Sequence, residues 1–140
     1  MNETIAMSAL LLSVFLQAVV PPLRSVEKGT DSAVDVQRQV IVRDGNEWTS
    51  VWRAHSPDRP QPAVDFSREM VVGVFMGTRP TAGFAVEIVG YRDSGGVVVV
   101  QYRETAPGRD TITAQMLVSP YHLVAIPRRT GTIEFEKVKR

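Results

Sequence analysis

The sequence predicts an α+β fold in which one amphipathic helix packs on a curved antiparallel β-sheet or small open barrel, preceded by an N-terminal apolar segment. Three observations lead there. One stretch, DGNEWTSVWRAH, has a helical period; several others are β-favouring and separated by turn residues; and residues 5–20 carry no charge.

In the helical stretch, Trp48, Val51, Trp52 and His55 recur at i, i+3, i+4 and i+7, one stripe of a helix, with Asn46 or Asp44 placed to cap its start. Both tryptophans of the chain lie on that stripe, and an aromatic of this kind buries on the order of 200 Å² against a sheet. Before the helix, VQRQVIVRD reads as a first strand with Val36, Val40 and Val42 on one face and Arg38 interrupting the alternation. After it, the stiff connection SPDRPQP leads into EMVVGVFMG, GFAVEIVGYR, GVVVVQYRE, YHLVAIP and GTIEFEKV. Gly, Pro, Asp or Ser separates these segments, as expected of antiparallel strands with short connections. DSGG, residues 93–96, has the turn chemistry of a hairpin. In GTIEFEKV, Ile133, Phe135 and Val138 stand against Glu134, Glu136 and Lys137, a strand with water on one face.

Three regions follow. Residues 1–20 are a signal peptide or N-terminal anchor: the uncharged run from Ile5 to Val20 is shorter than the roughly twenty residues that span a bilayer core, which favours a signal peptide. Ala18 offers a small residue for cleavage, whereas Leu16 and the start MNET, without Lys or Arg, fit that pattern poorly. Residues 21–35, PPLRSVEKGTDSAVD, mix Pro, Gly and charge without an apolar period and read as a linker; residues 36–140 form the β-rich domain. The expected location is therefore the periplasm, the cell envelope or the extracellular space, with membrane contact only through residues 5–20 if they are retained.

The 140 residues suffice for one domain with its own core. Sixteen basic against fifteen acidic residues leave a net charge of +1, and Arg79, Arg92, Arg103 and Arg109 stand singly, so the stripe that nucleic acid requires is absent. No cysteine is present, which removes thiol nucleophiles, disulfides, zinc knuckles and a lipid-attachment site together. Neither GxGxxG nor GxxxxGK[ST] occurs, and no cofactor is expected. His55 ends the helical stripe, where an imidazole can satisfy the last carbonyls. HSPD also gathers His55, Ser56 and Asp58, the basis of a small-hydrolase reading that ranks last because a triad is made by geometry rather than by sequence adjacency. A metal held by His55, His122 and Asp65 would need three distant segments to converge, and no catalytic or metal residue is assigned.

GTRPTAGF is the stretch that points to binding. Pro80 fixes φ, Gly83 supplies a φ that other residues adopt at a cost, and the Thr81 hydroxyl can bond the backbone between them. Such a loop is stiff before a partner arrives, which lowers the ordering cost of association, and Arg79 and Phe84 are common interface anchors. The alternative is a plain connection between adjacent strands with Phe84 in the core. VSPYHLVAIP poses a similar choice: Tyr121 and His122 can sit at a sheet edge beside this loop, or the segment can be a core strand punctuated by Pro120 and Pro127.

Taken in order, WTSVW from Trp48, VDFSREMVVGVFMGTRPTAGFAVEIVGY, VVVVQYRETAPG and SPYHLVAIPR resemble the PrcB C-terminal domain family over roughly residues 37–138. The founding member is an envelope lipoprotein subunit associated with a subtilisin-like surface protease, and most relatives are bacterial exported proteins. The resemblance implies an accessory subunit of an envelope or secreted protease complex; joined to the reading of the stiff loop, it leads to an exported, non-enzymatic protein-binding domain expected to meet its partner through Arg79, Pro80, Thr81, Gly83, Phe84, Tyr121 and His122. This sequence departs from the founder in having no lipid-attachment cysteine. RPTAGF also resembles the NPTTGY loop of chagasin-type cysteine-protease inhibitors, with Pro80, Thr81, Gly83 and Phe84 matching in type; it supports the runner-up reading, a protease inhibitor. TAPGRD lacks the tryptophan of that family's last inhibitory loop.

Overall fold

A computed structural model describes residues 21–139. In chain order the elements are β1 (Arg24–Gly29), β2 (Arg38–Val42), α1 (Gly45–His55), β3 (Glu69–Phe75), β4 (Ala85–Ser94), β5 (Val97–Thr105), β6 (Tyr121–Pro127) and β7 (Thr132–Lys137). The strands form two open sheets, an antiparallel β1-β6-β3-β2 and a mixed β4-β5-β7, and neither closes into a barrel. The expected single antiparallel sheet is therefore corrected to two. The apolar run of residues 5–20 lies outside the described residues, among which no helix is long and apolar enough to cross a membrane.

α1 starts at Asp44, whose Oδ1 accepts from the Glu47 amide at 2.8 Å, while Glu47 Oε2 accepts from the Arg43 amide at 2.9 Å. One of the amides that a helix start leaves unpaired is thus satisfied, and the second bond ties the residue ahead of the cap to the first turn. The stripe Trp48, Val51, Trp52 and His55 is buried as its spacing requires. Each indole N–H is also satisfied, Trp48 Nε1 donating to the Pro62 carbonyl and Trp52 Nε1 to the Arg59 carbonyl, both at 2.9 Å. These bonds fold the Pro-rich connection back over the helix.

The layers follow from the side-chain alternation of β3 and β6. Val71, Phe75, Tyr121 and Leu123 pack with Trp48, Val51 and Trp52 on one face. Met70, Val72, Val74, Val124 and Ile126 pack with Val86, Ile88, Val98 and Val100 of the second sheet on the other. Because both faces are covered, these two strands read as nearly continuous apolar runs. The order is helix, four-stranded sheet, three-stranded sheet.

Two crossovers explain the mixed sheet. The chain leaves the second sheet after β5, runs the opposite way through the first as β6, and returns as β7, which is therefore parallel to β5. The β4–β5 hairpin turns at Gly95 and Gly96, with φ of 58° and 84°, the pair of left-handed residues that a tight hairpin demands.

Three further expectations change. Residues 21–35 are not a free linker: β1 pairs along β6, and Ser32 and Val34 are buried. Val36, expected on one strand face with Val40 and Val42, precedes β2 and is exposed, whereas the other two are buried. β6 is not an edge but sits between β1 and β3, so Tyr121 and His122 are 2% and 4% exposed.

Candidate protein-binding surface

The segments joining β3 to β4 and β5 to β6 both cross from one sheet to the other, at the same end of the molecule, and they meet there. The Arg79 amide donates to the Val118 carbonyl at 2.7 Å and the Val118 amide to the Arg79 carbonyl at 3.0 Å. The Ala82 amide donates to the Ala114 carbonyl at 3.1 Å, and the Thr78 and Ser119 hydroxyls lie 2.9 Å apart. Gly83 has φ +97°, and a Cβ there would come within 2.9 Å of Pro107 Cβ, so the glycine serves both the turn and the close approach of the second segment.

Within GTRPTAGF the roles divide. The Arg79 guanidinium lies over the Phe84 ring, 5.9 Å from its centroid, and donates to the Met76 carbonyl at 3.2 Å. Phe84 is half-buried against the core between the sheets. These two residues therefore brace the loop, and Thr81 Oγ1 bonds the Ala82 carbonyl at 3.1 Å as its position suggested. Pro80 and Gly83 remain exposed. The loop that the inhibitor reading would place in a protease cleft is hydrogen-bonded to the neighbouring segment at Arg79 and Ala82.

What the loop supports is a crest that sequence reasoning missed. Between Ala106 and Leu117 no helix or strand forms, and Ile112, Met116 and Leu117 are 100%, 55% and 74% exposed. Half of the exposed large hydrophobics among the described residues fall within these few positions. The available signal was three large apolar side chains in a stretch without strand alternation, where burial has no element to act through. At the stems of both loops a groove of about 600 Å³ is lined by Met76, Ala106 and Val138 together with Glu104, Lys137 and Lys139. Its size is that of a ligand-sized cleft.

The two histidines are not at this surface. Neighbours along a strand point to opposite faces, and the elements they meet differ accordingly. His55 packs 4.2 Å, centroid to centroid, from Tyr121 on the helix side. Its Nδ1 lies 2.8 Å from Ser32 Oγ and its Nε2 3.2 Å from Glu27 Oε1, while Ser56 Oγ accepts from Arg59. The HSPD residues thus do not assemble a nucleophile and base. His122 faces the second sheet, where its Nδ1 accepts from the Ile88 amide at 2.9 Å. That bond fixes the proton on Nε2, which donates to Ser25 Oγ at 2.9 Å. The ring has no lone pair left to take a proton from Ser25. Burial first, and Lys28 second, lower His122 from 6.5 to about 4 despite the nearby Glu87. Tyr121 and His122, expected to contact a partner, act inside the body.

The fold and this end of it define a two-sheet β domain, covered by one helix, whose crossover loops expose an apolar surface. Residues 70–127, from β3 to β6 and including both crossover loops, match the family described as PrcB C-terminal, the family that the sequence motifs indicate. Comparison with curated proteins and with solved structures gives no match.

Proposed function

We propose that the chain is an exported, non-enzymatic protein-binding domain that works as an accessory subunit of an envelope or secreted protease complex, and that the paired crossover loops are its contact surface. The observation that carries the reading is the braced crest: Ile112, Met116 and Leu117 stand in water on a segment hydrogen-bonded to the 77–84 loop. Exposing three large apolar side chains costs solubility and gains nothing in the isolated domain, whereas burial against a partner returns about 1.5–3 kcal/mol for each one fully covered. The family description supplies the protease context.

Affinity capture from the native envelope and culture fluid tests it, with the wild-type chain beside an Ile112→Ser/Leu117→Ser variant and an Arg79→Ala/Phe84→Ala variant. The expected result is a peptidase, identified by mass spectrometry, that the wild type retains and the crest variant loses. The bracing variant weakens retention less, because it acts through loop order. Equal retention by wild type and crest variant, or no peptidase with either, overturns the proposal.

A further inference from the structure

The N-terminal arm, residues 21–35, is attached to the body unlike the strands beside it. No residue of β1 is fully buried, and only Val26, Glu27 and Gly29 reach half-burial, whereas six of the seven residues are buried in β3 and likewise in β6. Val34 is the arm's one buried apolar side chain. Leu23 and Val26 pack half-buried on the two cores, and polar ties to several elements supply the rest. Arg24 meets Glu69 at 3.0 Å, Ser25 meets His122 at 2.9 Å and Lys28 meets Glu87 at 2.7 Å. At the centre Glu27 Oε1 accepts from the Tyr121 hydroxyl, the Arg59 guanidinium and His55 Nε2. The arm joins the rest of the chain through Val36 and Gln37, both exposed.

The strand beneath is of the opposite kind. β6 has an apolar body, and without β1 its row of amides and carbonyls would be unpaired, an edge that recruits another strand. We propose that this side of β6 is a strand-exchange site whose second occupant is the residue 21–35 arm of another copy of the chain. A donated arm makes the same six side-chain ties and the same ladder as the resident one, so only the connection through Val36 and Gln37 distinguishes the two states.

Acid speeds the exchange by loosening the resident arm, without favouring either occupant. Burial pushes Glu27 up, but hydrogen bonds from Arg59, Tyr121 and His55 outweigh it and hold the carboxylate below its ordinary range. Burial lowers His55 against the pull of Glu27, with Arg59 adding to the lowering and Asp31 opposing it. The docked ties therefore keep Glu27 charged, and the burial that comes with them keeps His55 neutral. Their stabilisation is complete above 6.5, the ordinary value of the imidazole, weakens as pH falls below it, and is lost as Glu27 takes up its proton.

The test adds a fluorescent synthetic peptide of residues 21–35 to the full chain at pH 7.5 and 5.0, with incorporation read by gel filtration and folding checked by circular dichroism. Incorporation should be faster at pH 5.0, and a Glu27→Ala peptide should incorporate about tenfold less, from the loss of charge-assisted hydrogen bonds. A wild-type peptide that enters the folded chain at neither pH, or a Glu27→Ala peptide that enters equally well, overturns the proposal. None of these ties involves the crest residues, so failure here and failure of protease capture are separate results.

Discussion

Replacing His122 by Asn keeps an acceptor close to the Ile88 amide and removes the titration, so the variant isolates what the buried ring contributes to pH dependence. In the folded chain the imidazole is lowered from 6.5 to about 4 by burial and by Lys28. Between those values the unfolded chain binds the proton and the folded one does not. Stability is therefore complete above 6.5, falls as pH drops toward 4, and changes no further below it. Linkage over that interval amounts to about 3 kcal/mol, of which about 2 kcal/mol is lost by pH 5. Urea unfolding followed by the fluorescence of the buried Trp48 and Trp52 at pH 7.5 and 5.0 measures it. Because His55 and Glu27 also titrate, the diagnostic quantity is the difference between wild type and variant. The variant should start about 1–2 kcal/mol less stable at pH 7.5, from the smaller side chain, and then lose about 2 kcal/mol less than wild type on acidification. Equal losses in the two proteins would refute the assignment of His122 as the neutral tie between the sheets.

Gly73→Ala should destabilise by about 1–3 kcal/mol in the same urea assay, since the new methyl would lie 2.5 Å from Leu123 Cδ2 and 2.9 Å from Val40 Cγ2. Gly90→Ala, with nothing within 4 Å of its methyl, is the control and should stay within about 0.5 kcal/mol of wild type. Asp44→Ala removes the side-chain acceptor at the start of α1 and should cost about 1 kcal/mol, read as a lowered thermal midpoint. Gly83→Ala combines a φ of +97° with the approach to Pro107; a cost of about 1–2 kcal/mol and weaker peptidase capture are expected, and capture equal to wild type would separate loop pairing from binding.

The elements legible in the sequence are those set by near neighbours. The stripe from Trp48 to His55 and the cap at Asp44 lie within a few turns of one helix, and Gly95 and Gly96 impose the hairpin by their own φ. The 77–84 loop was recognisable as stiff for the same reason. Its surroundings were not. Arg79 and Phe84 carry the chemistry of interface anchors, but whether they face a partner or each other depends on where Val118 and Ala114 come to lie. The crest at Ile112, Met116 and Leu117 has no period, so nothing local marks which of its apolar side chains stay in water.

By itself the sequence determined that this is a β-rich chain with one capped, amphipathic helix, because period, turn chemistry and capping act over a few residues. Tertiary structure alone decided that the strands divide into two sheets, that β7 runs parallel to β5, and that β6 is central, because strand neighbours are chosen by packing across the whole chain. It also turned a polar stretch into β1. Arg24, Ser25, Glu27 and Lys28 find their partners on β3, β6, the segment after α1 and β4, and no window of sequence contains a residue together with a partner that far away.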